Sequence, residues 1–340
     1  LLITEATRLE SLKIHFNPRM REQGEPSINL HTIFGRLIAA GRKLPLKHIG
    51  FMNLYTVNHN ELDVSIRLDK LESGTFMNCV DPKNPRTVFF DQTWLKNNSA
   101  EHLTGLKMMR GEGFDKSHAE MVSKFSGLEE FYMVSKPAPP KRAATSNGTL
   151  SSTVSPAASS ANESPAAPSP QTPSPDTVSV AADYLVALSN HHGHSLRIVL
   201  LHDGWLLGES AATAFLQACP NLEQVGMACH DFCPTLLRRL LRHAPNVRAF
   251  RMLHSQSDAM WGSFEHLGEE PHIAALGMEL AFPVYRRLRW IGHGSKQWEI
   301  GPLPEEPARA AAPKLRVVKP MSRERARQIK IWGMDVMELL

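Results

Sequence analysis

One apolar spacing recurs along the whole chain: a large apolar residue, another three positions on, and a third two further. It reads Leu9-Leu12-Ile14, Leu46-Ile49-Phe51, Leu103-Leu106-Met108, Leu128-Phe131-Met133, Leu196-Val199-Leu201, Leu222-Val225-Met227, Val247-Phe250-Met252, Tyr285-Leu288-Trp290 and, more loosely, Ala312-Leu315-Val317. The last two members lie two residues apart, the period of a strand that buries one face. A short strand of this kind cannot shelter its apolar side alone, so successive copies must share one core.

The intervals decide which copies carry weight. Triplets begin 25 residues apart from Leu103 to Leu128, 26 from Leu196 to Leu222, 25 from Leu222 to Val247 and 27 from Tyr285 to Ala312. These fall within the range of about 20–29 residues of the leucine-rich repeat, whose L-x-x-L-x-L core the triplets match, with Asn17 at the consensus asparagine of the first copy. The remaining intervals, 37, 57, 68 and 38 residues, require insertions or a degenerate copy. Isolated triplets arise by chance in a chain that is 42% hydrophobic, so the three regular copies between 196 and 252 carry the assignment.

Segments between triplets read as helices. The run Ser210–Leu216 has high helix propensity and stops before Pro220. Pro234 opens a second run, with apolar residues at helical spacing beside Arg238 and Arg239, and Pro245-Asn246 closes it. Ile33, Leu37 and Ile38 share a face before Gly41, as do Met121, Val122 and Phe125 before Gly127. The predicted fold is therefore an α/β leucine-rich-repeat solenoid, a ribonuclease-inhibitor-like horseshoe with a parallel concave sheet and outer helices. Irregular repeats fill 1–136, further repeats fill 179–320, and 321–340 caps the stack.

Residues 137–178 are dominated by Pro, Ser, Ala and Thr and contain too few large apolar side chains to offset the entropy of ordering. This insertion is expected to be disordered. Its Ser-Pro and Thr-Pro pairs (Ser155, Ser164, Ser169, Thr172, Ser174) suit proline-directed phosphorylation, but a neutral tract that drifts is the favoured reading.

Composition narrows the function. Four cysteines are too few for a disulfide scaffold of 340 residues, which favours a cytoplasmic or nuclear setting. No apolar run approaches the roughly 18 residues that span a bilayer, so no membrane role is expected. The chain begins at Leu1 rather than methionine, and we expect a fragment. No catalytic signature groups its residues: Gly292–Lys296 lacks phosphate-loop spacing, Gly208–Ala212 lacks the second glycine of a nucleophile elbow, and there is no H-E-x-x-H. The expectation is a non-enzyme without cofactor or metal. Cys219, Cys229 and Cys233 read as packing residues, and His191-His192-Gly193-His194 as a surface turn.

Binding is the remaining role. The residue between the second and third apolar positions faces outward: Lys13, Gly50, Lys107, Tyr132, Leu200, Gly226, Arg251, Arg289 and Arg316. Arg248, Arg286, Lys314, Val318 and Lys319 flank them. Residues 179–285 hold 6 basic and 10 acidic side chains, whereas 286–330 hold 12 basic and 4 acidic. Lys107, Tyr132, Arg248, Arg251, Arg286, Arg289, Lys314 and Arg316 are thus candidate contacts for an acidic or phosphorylated protein, because arginine grips oxyanions with two donors; simple solubility of an exposed sheet is the competing explanation. Trp290, Trp298 and Trp332 fall at inward or terminal positions and offer no stacking platform for nucleic acid.

The turn Cys219-Pro220-Asn221-Leu222, the irregular repeats, the Pro/Ser insertion and the ending (Leu288–Gly292, Trp298–Gly301, Arg316–Val318, Ile331–Asp335) resemble the F-box/leucine-rich-repeat proteins of filamentous fungi. The similarity covers 181–340 well and 1–136 loosely. It implies the substrate-recognition part of a cullin-RING ubiquitin ligase. The helical F-box that docks the ligase adaptor has no counterpart here and would precede Leu1; a scaffold without a ligase link is the alternative.

Overall fold

In the computed structural model, the described residues are 6, 8–16, 30–54, 61–79, 94, 98–112, 116–135, 175–230, 233–253, 270–294, 296–303 and 315–336. Asn17, Lys314 and nearly all of the Pro/Ser-rich insertion lie outside them. The described chain is mixed α/β, built on one large, mostly parallel sheet. Its strands are β1 (Ser11–His15), β2 (His48–Met52), β3 (Ser73–Met77), β4 (Met108–Gly111), β5 (Glu130–Met133), β6 (Ile198–Leu200), β7 (Leu206–Leu207), β8 (Gln224–Cys229), β9 (Ala249–Met252), β10 (Trp290–His293), β11 (Lys296–Ile300) and β12 (Val318–Pro320). They lie side by side in chain order, except that β7 pairs only with the end of β8. All pairings are parallel until β10, β11 and β12, which close the sheet with two antiparallel steps.

Among the described residues, seven α-helices lie between strands: α1 (Leu30–Ala39), α2 (Glu61–Ser65), α3 (Lys116–Val122), α4 (Pro175–Ala187), α5 (Glu209–Ala218), α6 (Pro234–Leu241) and α7 (Glu270–Glu279). Their starts and stops follow the expected chemistry. Cys233 caps α6 by accepting from Leu236 N at 3.4 Å, with Pro234 in the first turn, where its missing N–H costs nothing. Gly41 and Gly127, at φ +63° and +98°, turn the chain after α1 and α3 in a conformation that glycine adopts freely. Helix α4 begins at Pro175, so the last residues of the segment expected to be disordered are helical.

One contiguous core joins these helices to the inward side chains of the sheet, among them Phe34, Leu37, Ile49, Phe51, Met121, Phe131, Val199, Phe215, Val225, Leu237 and Phe250. Triplets starting at Leu46, Leu128, Leu196, Leu222 and Val247 enter this core as expected, and the one starting at Leu9 packs half-buried at its edge. Two other triplets are out of frame. Met109 pairs with Gly74 and Phe131, and Ile291 pairs with Phe250. The working sets are therefore Leu106-Met109-Gly111 and Leu288-Ile291-His293, each three residues later than the sequence suggests. The weak Ala312 triplet fails outright: Leu315 and Val317 are exposed, and Arg316 between them is buried.

Strand β3 is a copy that the triplet does not reveal. Gly74 stands at its second apolar position, in line with Ile49. A Cβ on Gly74 would sit 2.7 Å from the Phe76 ring, so this ring lies back over the glycine and fills the slot itself. Phe51 and Trp94 pack edge-on against it, with centroids 6.0 and 5.5 Å away.

The histidine turn is at the surface only in part: His191 and His194 are exposed, whereas His192 turns inward. His192 is 1% exposed; its Nδ1 accepts from Leu128 N at 3.2 Å, and Nε2 donates to Val122 O at 2.8 Å. Both bonds require neutral imidazole, and burial lowers its pKa to about 4. The unfolded chain takes up this proton near pH 6.5, whereas the fold refuses it until about pH 4. Stability is thus complete above the unfolded value and declines as pH falls between the two, by about 2 kcal/mol at pH 5. The melting temperature should drop between pH 7 and pH 5, and His192→Asn, whose amide can also accept and donate, should shrink that drop.

Candidate functional site

The outward face of the sheet is the expected docking surface. Its middle is apolar: Ile198, Leu200, Ala228, Ala249 and Leu253 are all buried there, together with Tyr132. What buries them is the chain's own C-terminal segment, through helices α8 (Arg323–Ala326) and α9 (Lys330–Gly333). Ala326, Ile329, Ile331 and Trp332 form with these strand residues a second core, on the opposite side of the sheet from the first. Gly292 makes room for it, since a Cβ there would meet the Trp332 ring at 2.5 Å.

Polar contacts fix the segment in register. Arg110, 1% exposed, donates Nε to Met334 O at 2.9 Å and a terminal nitrogen to Val336 O. Arg251 donates to Ile331 O at 3.0 Å and pairs with Asp335 at 2.7 Å. Gln224 accepts from Ile331 N at 3.3 Å, and Lys330 reaches Glu130. Tyr132 donates its hydroxyl to the same Glu130 at 2.7 Å; burial and that neighbouring carboxylate raise its pKa.

The candidate contacts therefore separate into distinct places. Tyr132 and Arg251 do stand at the outward central positions, but both are covered. Arg316 is 2% exposed and donates inward to the carbonyls of Gly301, Tyr285 and Leu288 at 2.6, 2.6 and 2.8 Å. The frame shift removes Lys107 and Arg289 from the central row, where Arg110 and Gly292 take their places. Trp290 likewise lies outward, against the second core. Arg286 lies off the strands, capping the turn Pro283–Tyr285.

Lys107, Arg248 and Arg289 instead belong to a row at the start of the strands, one residue after each leading apolar position. The row runs Glu10, Lys47, Glu72, Lys107, Glu129, Arg197, Glu223, Arg248, Arg289. Each residue after the first donates its backbone N–H to the carbonyl of its predecessor, at 2.7–2.9 Å throughout. The charges alternate for eight positions, and three neighbouring pairs close: Lys47–Glu10 at 2.8 Å, Lys107–Glu129 at 3.5 Å and Arg197–Glu223 at 2.7 Å. Opposite charges on adjacent strands attract and like charges repel. The alternation breaks at its last step, where Arg248 meets Arg289.

Both arginines are exposed, as are Arg286 and Arg287. Among the described residues, the side chains of Arg248, Arg286 and Arg289 have no hydrogen-bonding or ionic partner. Beside them a cavity of about 370 Å³ is lined by Arg197, Asn221, Glu223, Asn246, Arg248 and Arg287. Its wall is tied together by side-chain hydrogen bonds. Asn221 and Asn246 donate to His194 O and Pro220 O at 2.7 and 3.0 Å, each tying its turn to the previous one, and Arg287 donates to Asn246 Oδ1.

Cys219 and Cys229 are buried, which pushes their thiols up to about 12, and among the described residues no group of three His, Cys, Asp or Glu side chains could hold a metal. No helix among them is long and apolar enough to cross a membrane. No protein-family model matches the sequence, and no curated protein matches it significantly.

Proposed function

We propose that this chain is a leucine-rich-repeat solenoid of the ribonuclease-inhibitor-like horseshoe type and that it works as a protein-recognition module. We further propose that it serves as the substrate receptor of a cullin-RING ubiquitin ligase of the F-box type, in the cytoplasm or nucleus, with the adaptor docking through a segment outside this chain. The substrate is an acidic or phosphorylated protein, and it meets the arginine edge rather than the outward sheet face. The observation that carries this reading is the row of strand-start residues. Eight of its positions alternate in charge and largely satisfy themselves, and the ninth leaves arginines exposed beside a walled cavity. A second reading, a scaffold without a ligase link, draws support from the second core, since a face filled by the chain's own terminus is closed to a substrate. Affinity purification of the full-length protein from a filamentous fungus separates the two. Recovery of cullin and adaptor supports the receptor, and their consistent absence leaves the scaffold.

A further inference from the structure

We infer that Arg248 and Arg289 form a phosphoryl-binding site, occupied by a phosphorylated side chain of a partner protein at the one step where the charge row lacks its acidic member. This inference rests on the recognition reading above and specifies what that reading leaves open.

The two residues are neighbours in the ladder, Arg289 N donating to Arg248 O at 2.7 Å. Adjacent strands run about 4.8 Å apart, so the two guanidinium groups can converge on one anion. Among the described residues, the acidic side chains nearest in the sheet are engaged elsewhere. Glu223, preceding Arg248 in the row, holds Arg197 through both Nε and a terminal nitrogen, at 3.0 and 2.7 Å. Glu299, on the strand that follows, pairs with Arg325 at 2.9 Å. Glu279 pairs with Arg238. Arg287 stands beside the gap, next in chain to Leu288, with one nitrogen on Asn246.

The chemistry of the ligand follows from the number of donors. A carboxylate brings one charge and two oxygens, enough for a single fork. Two adjacent forks suit a phosphate monoester, which brings nearly two charges and three strong acceptors. The neighbouring cavity gives the flanking residues of such a partner a place to lie, against Asn221 and Asn246 rather than against an apolar wall.

The test uses labelled pentapeptides of alanine with phosphoserine, glutamate or serine at the centre, titrated against the whole chain, with inorganic phosphate as competitor. The phosphoserine peptide should bind at least about tenfold more tightly than the glutamate peptide, and Arg248→Ala or Arg289→Ala should each weaken it about tenfold. Arg289→Glu supplies the missing acidic member. It should abolish phosphopeptide binding while melting no earlier than the parent, because the new carboxylate would complete the alternation with Arg248. Equal binding of the phosphoserine and glutamate peptides, or unchanged binding by Arg289→Glu, would overturn the site. Both arginines are exposed, so these variants fold, and circular dichroism verifies it. If phosphopeptide binding fails while cullin and adaptor are still recovered, this site falls and the receptor reading stands. The opposite outcome sinks only the ligase link.

Discussion

Deleting residues 321–340 should cost about 5 kcal/mol, the burial of Ile329, Ile331 and Trp332 at roughly 1.5–3 kcal/mol each with some allowance for an already compact unfolded state. The deletion uncovers the middle of the sheet's outward side. Ile198, Leu200, Leu253 and Trp290 would face water as one patch, and Arg110 would lose the carbonyls of Met334 and Val336 that now accept its hydrogen bonds. A chain with two cores need not unfold in one step, so the urea midpoint and the binding of a hydrophobic dye are better readouts than an extrapolated free energy. The truncated chain should lose its midpoint or aggregate, and it should light up the dye at pH 7. Gly292→Val offers the same disturbance without a deletion, because the added carbon would collide with the Trp332 ring. A truncated chain with the parent midpoint and no dye signal would show that the second core contributes nothing.

The second core leaves only a faint trace in the sequence. Alternation in a strand predicts which residues share a side, and it correctly groups Tyr132, Leu200, Gly226 and Arg251 on the outward side. It does not say whether that side meets water. Leu200 and Ile198 are apolar at outward positions, a departure from the inside-apolar, outside-polar pattern of a half-solvated sheet. That departure is the available signal, and the terminus that answers it lies more than 120 residues further on, beyond the reach of any local period.

The two frame errors have a different cause. Around β4, Leu103, Leu106 and Met108 satisfy the spacing as well as Leu106, Met109 and Gly111 do, and the true set ends in a glycine. Around β10, the true set ends in His293. Spacing rewards the more apolar frame, whereas the sheet selects the frame that continues its backbone ladder. Charge arbitrates between them at β4. Placing Lys107 directly after the leading leucine yields the row Glu10, Lys47, Glu72, Lys107, Glu129, Arg197, Glu223, Arg248, whereas the frame suggested by spacing puts Thr104 there and breaks that alternation; at β10 either frame brings an arginine, Arg286 or Arg289, and charge is silent. Charge also locates β3, since Glu72 follows Leu71. The core of the regularly spaced triplets from 196 to 252 is legible because each position there carries a side chain of the expected type.

Arg316 and Arg289 look alike in sequence, two arginines in a basic C-terminal stretch, and they should behave as opposites on mutation. Arg316→Met should destabilise the chain by about 4 kcal/mol, because it leaves several buried carbonyl groups without donors at about 1–3 kcal/mol each, partly offset by the apolar replacement. Its guanidinium joins the end of β11 at Gly301 to the turn at Tyr285 and to Leu288, which leads into β10, so one planar group holds three pieces of the sheet's closing edge. Burial, and to a lesser degree the charge of Arg289, pulls its pKa down, the mark of a cation held by dipoles without a carboxylate. Arg316→Lys should recover less than half of the loss, since a single ammonium on a flexible stem cannot reach carbonyls set in three directions. Arg289→Ala, exposed and without a partner among the described residues, should stay within about 0.5 kcal/mol of the parent. Thermal melts of the three variants decide the matter: if Arg316→Met melts with Arg289→Ala, the closing edge is held by packing alone and the buried arginine is incidental.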